Sequence, residues 1–174
     1  MDMRPHKYAH LFCGGLLACV WLGSCLAPPD YPDEPVLTFE GLTRDSLAQG
    51  AGLEDSTTVV LSFTDGDGDI APPETETDPN VFLVNRRTDE QVATFQLDPI
   101  PEEGAENGIS GDLRLRVFTT CCDYPEFVEE FPCELSTAYP VDTLLLEAFI
   151  VDRAGNESNR VDLAPVFLLC DRFE

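Results

Sequence analysis

Residues 113–118 read Leu-Arg-Leu-Arg-Val-Phe, with Leu113, Leu115 and Val117 alternating against Arg114 and Arg116. Successive side chains of a strand point to opposite faces, so this two-residue period sets an apolar face on a core and a charged face in water. Upstream, Thr57–Phe63 is rich in the β-branched residues that pack well on a pleated surface. The same signals predict strands at Val36–Phe39, Asn80–Asn85, Val92–Leu97, Thr143–Val151 and Val166–Leu169. The connections are rich in Pro, Gly, Asn and Asp. About seven short strands joined in this way fit an all-β sandwich over residues 36–174, with a small β-barrel as the alternative. Only residues 43–53 suggest a helical turn, with Asp45 as its cap.

One connection narrows the fold further. The segment Ile150-Val-Asp-Arg-Ala-Gly-Asn-Glu-Ser-Asn159 resembles the turn before the last strand in bacterial immunoglobulin-like and fibronectin-like domains. Gly155 and Asn156 supply its left-handed turn chemistry. The resemblance implies a sandwich of that type and carries no function with it.

The N-terminus has a different character. Arg4, His6 and Lys7 precede an almost wholly apolar or small stretch from Ala9 to Leu22. A basic head, an apolar run and small residues before a cut site describe a secretory signal. The run is shorter than the roughly 20 residues that span a bilayer comfortably. Leu22-Gly23-Ser24-Cys25 resembles the bacterial lipobox. That resemblance implies a lipoprotein signal at residues 1–24, cleavage before Cys25, diacylation of its thiol and acylation of the new amino group. An ordinary signal or an uncleaved anchor is the alternative. Two or three acyl chains, at about 0.8 kcal/mol per buried CH₂, anchor a chain without a spanning helix.

Residues 25–35 then form a tether, extended by Pro28, Pro29, Pro32 and Pro35 and bearing Asp30, Asp33 and Glu34. Its acidity loosely resembles the surface-export signal of Bacteroidetes lipoproteins. The whole layout is similar to small lipoproteins of the Bacteroidetes and their relatives, in which a lipobox is succeeded by a Tyr-Pro segment, a strand, and a strand ending in Asp-Gly-Asp-Gly-Asp. This implies a membrane-anchored protein of the cell envelope, in the outer membrane, on its periplasmic or surface face.

Removing residues 1–24 changes the composition. Without Asp2, Arg4 and Lys7, the 33 acidic and 10 basic residues become 32 and 8, a formal charge of −24. His6, His10, Met1, Met3, Trp21 and Lys7 all lie in the signal, so the remaining chain has no His, Lys, Met or Trp. Without histidine there is no Ser-His-Asp or Cys-His machinery and no imidazole metal site. Without lysine there is no Schiff base. A field this negative repels nucleic acid. A carboxylate-only hydrolase stays formally open, but no acid pair stands out for it. Acid-rich, lysine-free surfaces also suit high salt, where screening relieves self-repulsion.

Thr64-Asp65-Gly66-Asp67-Gly68-Asp69-Ile70 is the leading candidate site. Three carboxylates at alternate positions, with glycines letting the backbone curl, can converge hard oxygen ligands on calcium. They repel one another unless a cation neutralises them. Against EF-hand spacing, Asp65, Asp67 and Asp69 fall at positions 1, 3 and 5 and Glu76 at 12, but Ile70 stands where glycine is needed and Pro72 and Pro73 intrude. The motif is therefore not an EF-hand. A calcium loop at a sandwich edge, helped by Asp152 or Asn156, is expected; a bare acidic turn is the alternative.

Four cysteines remain for the domain: Cys121, Cys122, Cys133 and Cys170. An even number in an exported chain predicts two disulfides. A vicinal Cys121–Cys122 bridge would strain the backbone, so each should reach Cys133 or Cys170. A four-thiolate zinc site lacks the Cys-x-x-Cys spacing it would need. Between them, Asp123–Pro132 places aromatics among acids on a long loop, suited to binding or to covering a core. The expected function is a lipid-anchored, non-catalytic binding or adhesion module, calcium-stabilised, meeting an envelope or extracellular protein or glycan. A structural or assembly component of an envelope complex is the second reading.

Overall fold

The computed structural model describes residues 30–52, 54–73, 75–100 and 108–172. The expected signal, Cys25 and the first part of the tether lie outside them. Among the described residues there are ten strands and no helix.

One sheet is formed by β1 (Val36–Leu42), β3 (Ser56–Asp65) and β6 (Ile109–Phe118), antiparallel in the order β1-β3-β6. Burial alternates without a break along all ten residues of β3. A second sheet runs β5 (Glu90–Phe95), β4 (Val81–Asn85), β8 (Leu146–Ile150) and β9 (Val161–Asp162). A third runs β2 (Ser46–Ala48), β10 (Val166–Leu169) and β7 (Val141–Leu144). All three are open, so the molecule is a sandwich and not a barrel. Leu37, Leu61 and Leu115 of the first sheet join Leu83, Ile150 and Leu168 of the others in one core cluster.

The apolar run at 143–151, expected as one strand, is two: β7 and β8 part at Leu145, whose carbonyl accepts the Arg86 N–H. The facing strand breaks too, between β9 and β10, where Pro165 has no N–H to donate. The second and third sheets thus continue one another along the chain.

The helical turn expected over 43–53 is absent, and Asp45 is not a helix cap. Instead β2 pairs parallel with β10, and the Asp45 carbonyl accepts the Phe167 N–H at 2.7 Å. Leu47 is fully buried, and Asp55 accepts from Arg44 through both carboxylate oxygens and from the Ala48 N–H. These tertiary contacts outweigh a weak local preference.

Registers from Ser56↔Phe118 to Asp65↔Ile109 give the sandwich two poles. The tether enters at the Asp65 pole, since Val36 pairs with Thr64. The cysteines sit at the other.

Candidate metal centre

The Asp65 pole is built by the loop after β3 and the turn after β8. Asp65 occupies the last inward position of β3, in line with Val59, Leu61 and Phe63, and is 0% exposed. Beyond it the chain turns through Gly66, Asp67 and Gly68, the last at φ +74°. Ile70 then dives into the core, and its N–H donates to Asp65 Oδ2 at 2.9 Å. Asp65 Oδ1 is buried and has no hydrogen-bond partner; neither has Asp69 Oδ1. A buried oxygen without a partner costs about 1–3 kcal/mol, more when charged.

Asp152 arrives from the other side, just after β8, and is also buried. The Arg153 N–H donates to the Asp69 carbonyl, joining the two loops. Asp65, Asp69 and Asp152 each offer an oxygen, and these oxygens lie within 4.8 Å of one another. Oxygens on opposite sides of one calcium ion are about 4.8 Å apart, so this is a span a single cation bridges. Burial pushes the Asp65 carboxyl up to about 6, with the charges of Asp67, Asp69 and Asp152 adding to it and the Ile70 N–H opposing it. Asp69 is raised for the same first reason, then by Asp152 and Asp67. A cation would relieve both causes at once.

Of the expected carboxylate ligands, Asp65, Asp69 and Asp152 come together, while Asp67 stands outside the group. Asp67 lies nearer the surface and acts on its neighbours by charge. Asn156 turns its donors toward Asp152: its backbone N–H reaches Asp152 Oδ1 at 2.7 Å and its Nδ2 reaches Oδ2 at 2.8 Å. It orients the carboxylate. Glu76 is exposed and is not among the grouped carboxylates.

Two supporting residues escape a reading of the sequence. Buried Asn80 donates to the Ile70 carbonyl and accepts from the Leu97 N–H, clamping the acidic loop to the strand pair. Asn159 makes a two-way bond with the Leu37 backbone, tying the turn after β8 to β1. Neither carries a local motif; only their partners, 17 and 122 residues away, give them meaning.

At the opposite pole Cys121 bonds Cys133 and Cys122 bonds Cys170. The Cys122–Cys170 bridge is buried. The loop that Cys121–Cys133 closes leaves Phe127 83% and Phe131 71% exposed, so those rings do not cover the core.

Among the described residues, no helix is long and apolar enough to cross a membrane. The fold and site define a disulfide-linked β-sandwich with an acidic triad at one pole. Compared with known proteins, the chain matches no family model, no curated protein and no solved structure.

Proposed function

We propose that this chain is a lipid-anchored lipoprotein of the cell envelope, a calcium-stabilised sandwich that acts as a non-catalytic binding module. The observation that carries the calcium reading is Asp65 Oδ1, a fully buried carboxylate oxygen without a partner beside Asp69 and Asp152. The donor set is all oxygen and all anionic, which suits a hard divalent cation. Asp65, Asp69 and Asp152 would hold the ion, whose role is to cancel repulsion and lock the two loops. Anchorage is supported by Leu22-Gly23-Ser24-Cys25 and by two disulfides, which persist in oxidising compartments.

Calorimetric titration of the full chain with calcium tests the site. Saturation at about 100 times Kd should raise Tm by about 5–10 °C. No heat and no shift at millimolar calcium would remove it. Mass spectrometry of the native N-terminus tests the anchor independently: an unacylated Cys25, or retention of residues 1–24, would overturn it.

A further inference from the structure

Two of the sheets' end strands face each other. β6 ends the first sheet and β5 ends the second; neither has another strand partner among the described residues. A groove of about 760 Å³ runs between them, with Ala93 and Phe95 on one wall, Val117 and Phe118 on the other, and Leu144 reached from it. Natural sheets cover, shorten or charge such edges, because a row of free N–H and C=O groups templates another strand. Here β6 is ten residues long, and apolar surface stays exposed at the rim in Val92 at 47% and Phe118 at 37%.

Arg116 also lines this groove. Its guanidinium makes no ion pair or hydrogen bond among the described residues, although the chain holds 33 acidic residues against 10 basic ones. Arg87, by contrast, is held by Asp142 and approached by Asp123. Glu90 stands on the β5 side. An uncommitted cation on an open edge, beside a groove lined by both apolar and polar side chains, defines what fits there.

We infer that the groove between β5 and β6 receives an extended segment of a partner protein. The segment adds a strand to the edge of β6, sets alternate apolar side chains into the groove and places a carboxylate against Arg116. Main-chain hydrogen bonds to the edge supply affinity and the alternate side chains supply specificity. A second copy of the chain fits poorly, because a formal charge of −23 repels its like.

A displayed library of random peptides, panned on the purified full chain, tests this. A protein so acidic enriches cationic peptides non-specifically; the groove instead selects peptides with alternating apolar residues and an Asp or Glu. Synthetic versions should shift the amide resonances of β5 and of Arg116–Thr120. Arg116→Glu, an exposed substitution whose fold thermal melting verifies, should weaken them about tenfold and move selection to Lys- or Arg-bearing sequences. Enrichment of cationic peptides alone, shifts centred on the Cys121–Cys133 loop, or affinity unchanged by Arg116→Glu would overturn the proposal. So would sedimentation showing that two copies pair through β6.

Discussion

The amide of Gly66 donates to the carbonyl of Pro32 at 2.7 Å, so the tether passes directly over the first turn of the acidic loop. A Cβ at Gly66 would lie 2.4 Å from the Tyr31 carbonyl oxygen and 2.6 Å from that of Pro32, both backbone atoms that move only with the chain. Gly66→Ala should therefore lift the tether away and cost about 1–3 kcal/mol, read as a lower Tm. Calcium in the wild-type site should slow hydrogen exchange at Gly66 and Tyr31, and that protection should vanish in Gly66→Ala. Equal exchange with and without calcium would break the link between site and tether.

Asp65 should make the calcium-free protein lose stability as the solution turns neutral. Its carboxyl titrates near 6 in the folded chain against 3.8 unfolded, so the folded state binds that proton more tightly. The favourable contribution is present below 3.8 and is lost as pH rises through about 6. For this buried group the full swing is about 3 kcal/mol at most. Chelated protein should melt higher at the acid end of that window than above it. Asp65→Asn should flatten the dependence, raise the calcium-free Tm at neutral pH and abolish the calcium response. A wild-type Tm that climbs with pH across the window would contradict the assignment.

Asn156 should behave as a support for Asp152 and not as a ligand. Asn156→Ala keeps the backbone bond to Oδ1 and loses the Nδ2 bond to Oδ2. Residues of this kind typically change metal affinity about 10–100-fold. Calorimetry should show weakened calcium binding at unchanged stoichiometry, whereas Asp152→Ala should abolish it. Equal loss in both variants would make Asn156 a ligand after all.

The strands were legible because their signal is local: Leu113, Leu115 and Val117 alternate with arginines, and every second residue of β3 is buried. The short apolar run Val166–Leu169, bounded by Pro165 and Cys170, marks β10 in the same way. What stayed hidden was non-local. The pairing of β2 with β10 joins segments at opposite ends of the domain, and nothing in Ser46-Leu47-Ala48 announces it. The break at Leu145 lies across from the gap between β9 and β10 that holds Pro165, a match of positions far apart in the chain. The acidic loop was visible as spacing, but which carboxylates meet is decided by the poles of the sandwich: Asp65 points inward, Asp67 stays outside the triad, and Asp152 returns from β8. Cysteine count alone implied two bridges; their partners required the fold.

The two disulfides should differ in what they contribute. Cys122–Cys170 closes 48 residues and Cys121–Cys133 closes 12. Loop-closure entropy rises with the logarithm of loop length, so the longer bridge should stabilise by about 1 kcal/mol more. Its burial widens the gap, since Cys122 and Cys170 are 2% and 0% exposed and β10 runs straight into Cys170. Replacing both members of a bridge with Ala avoids a stray thiol. The Cys122/Cys170 double variant should lose several degrees more Tm than the Cys121/Cys133 variant, and only the latter should free Phe127 and Phe131 for rapid proteolysis without loosening the sandwich. A larger Tm loss from the shorter loop would mean that the exposed aromatic segment holds the core, against its position at the surface.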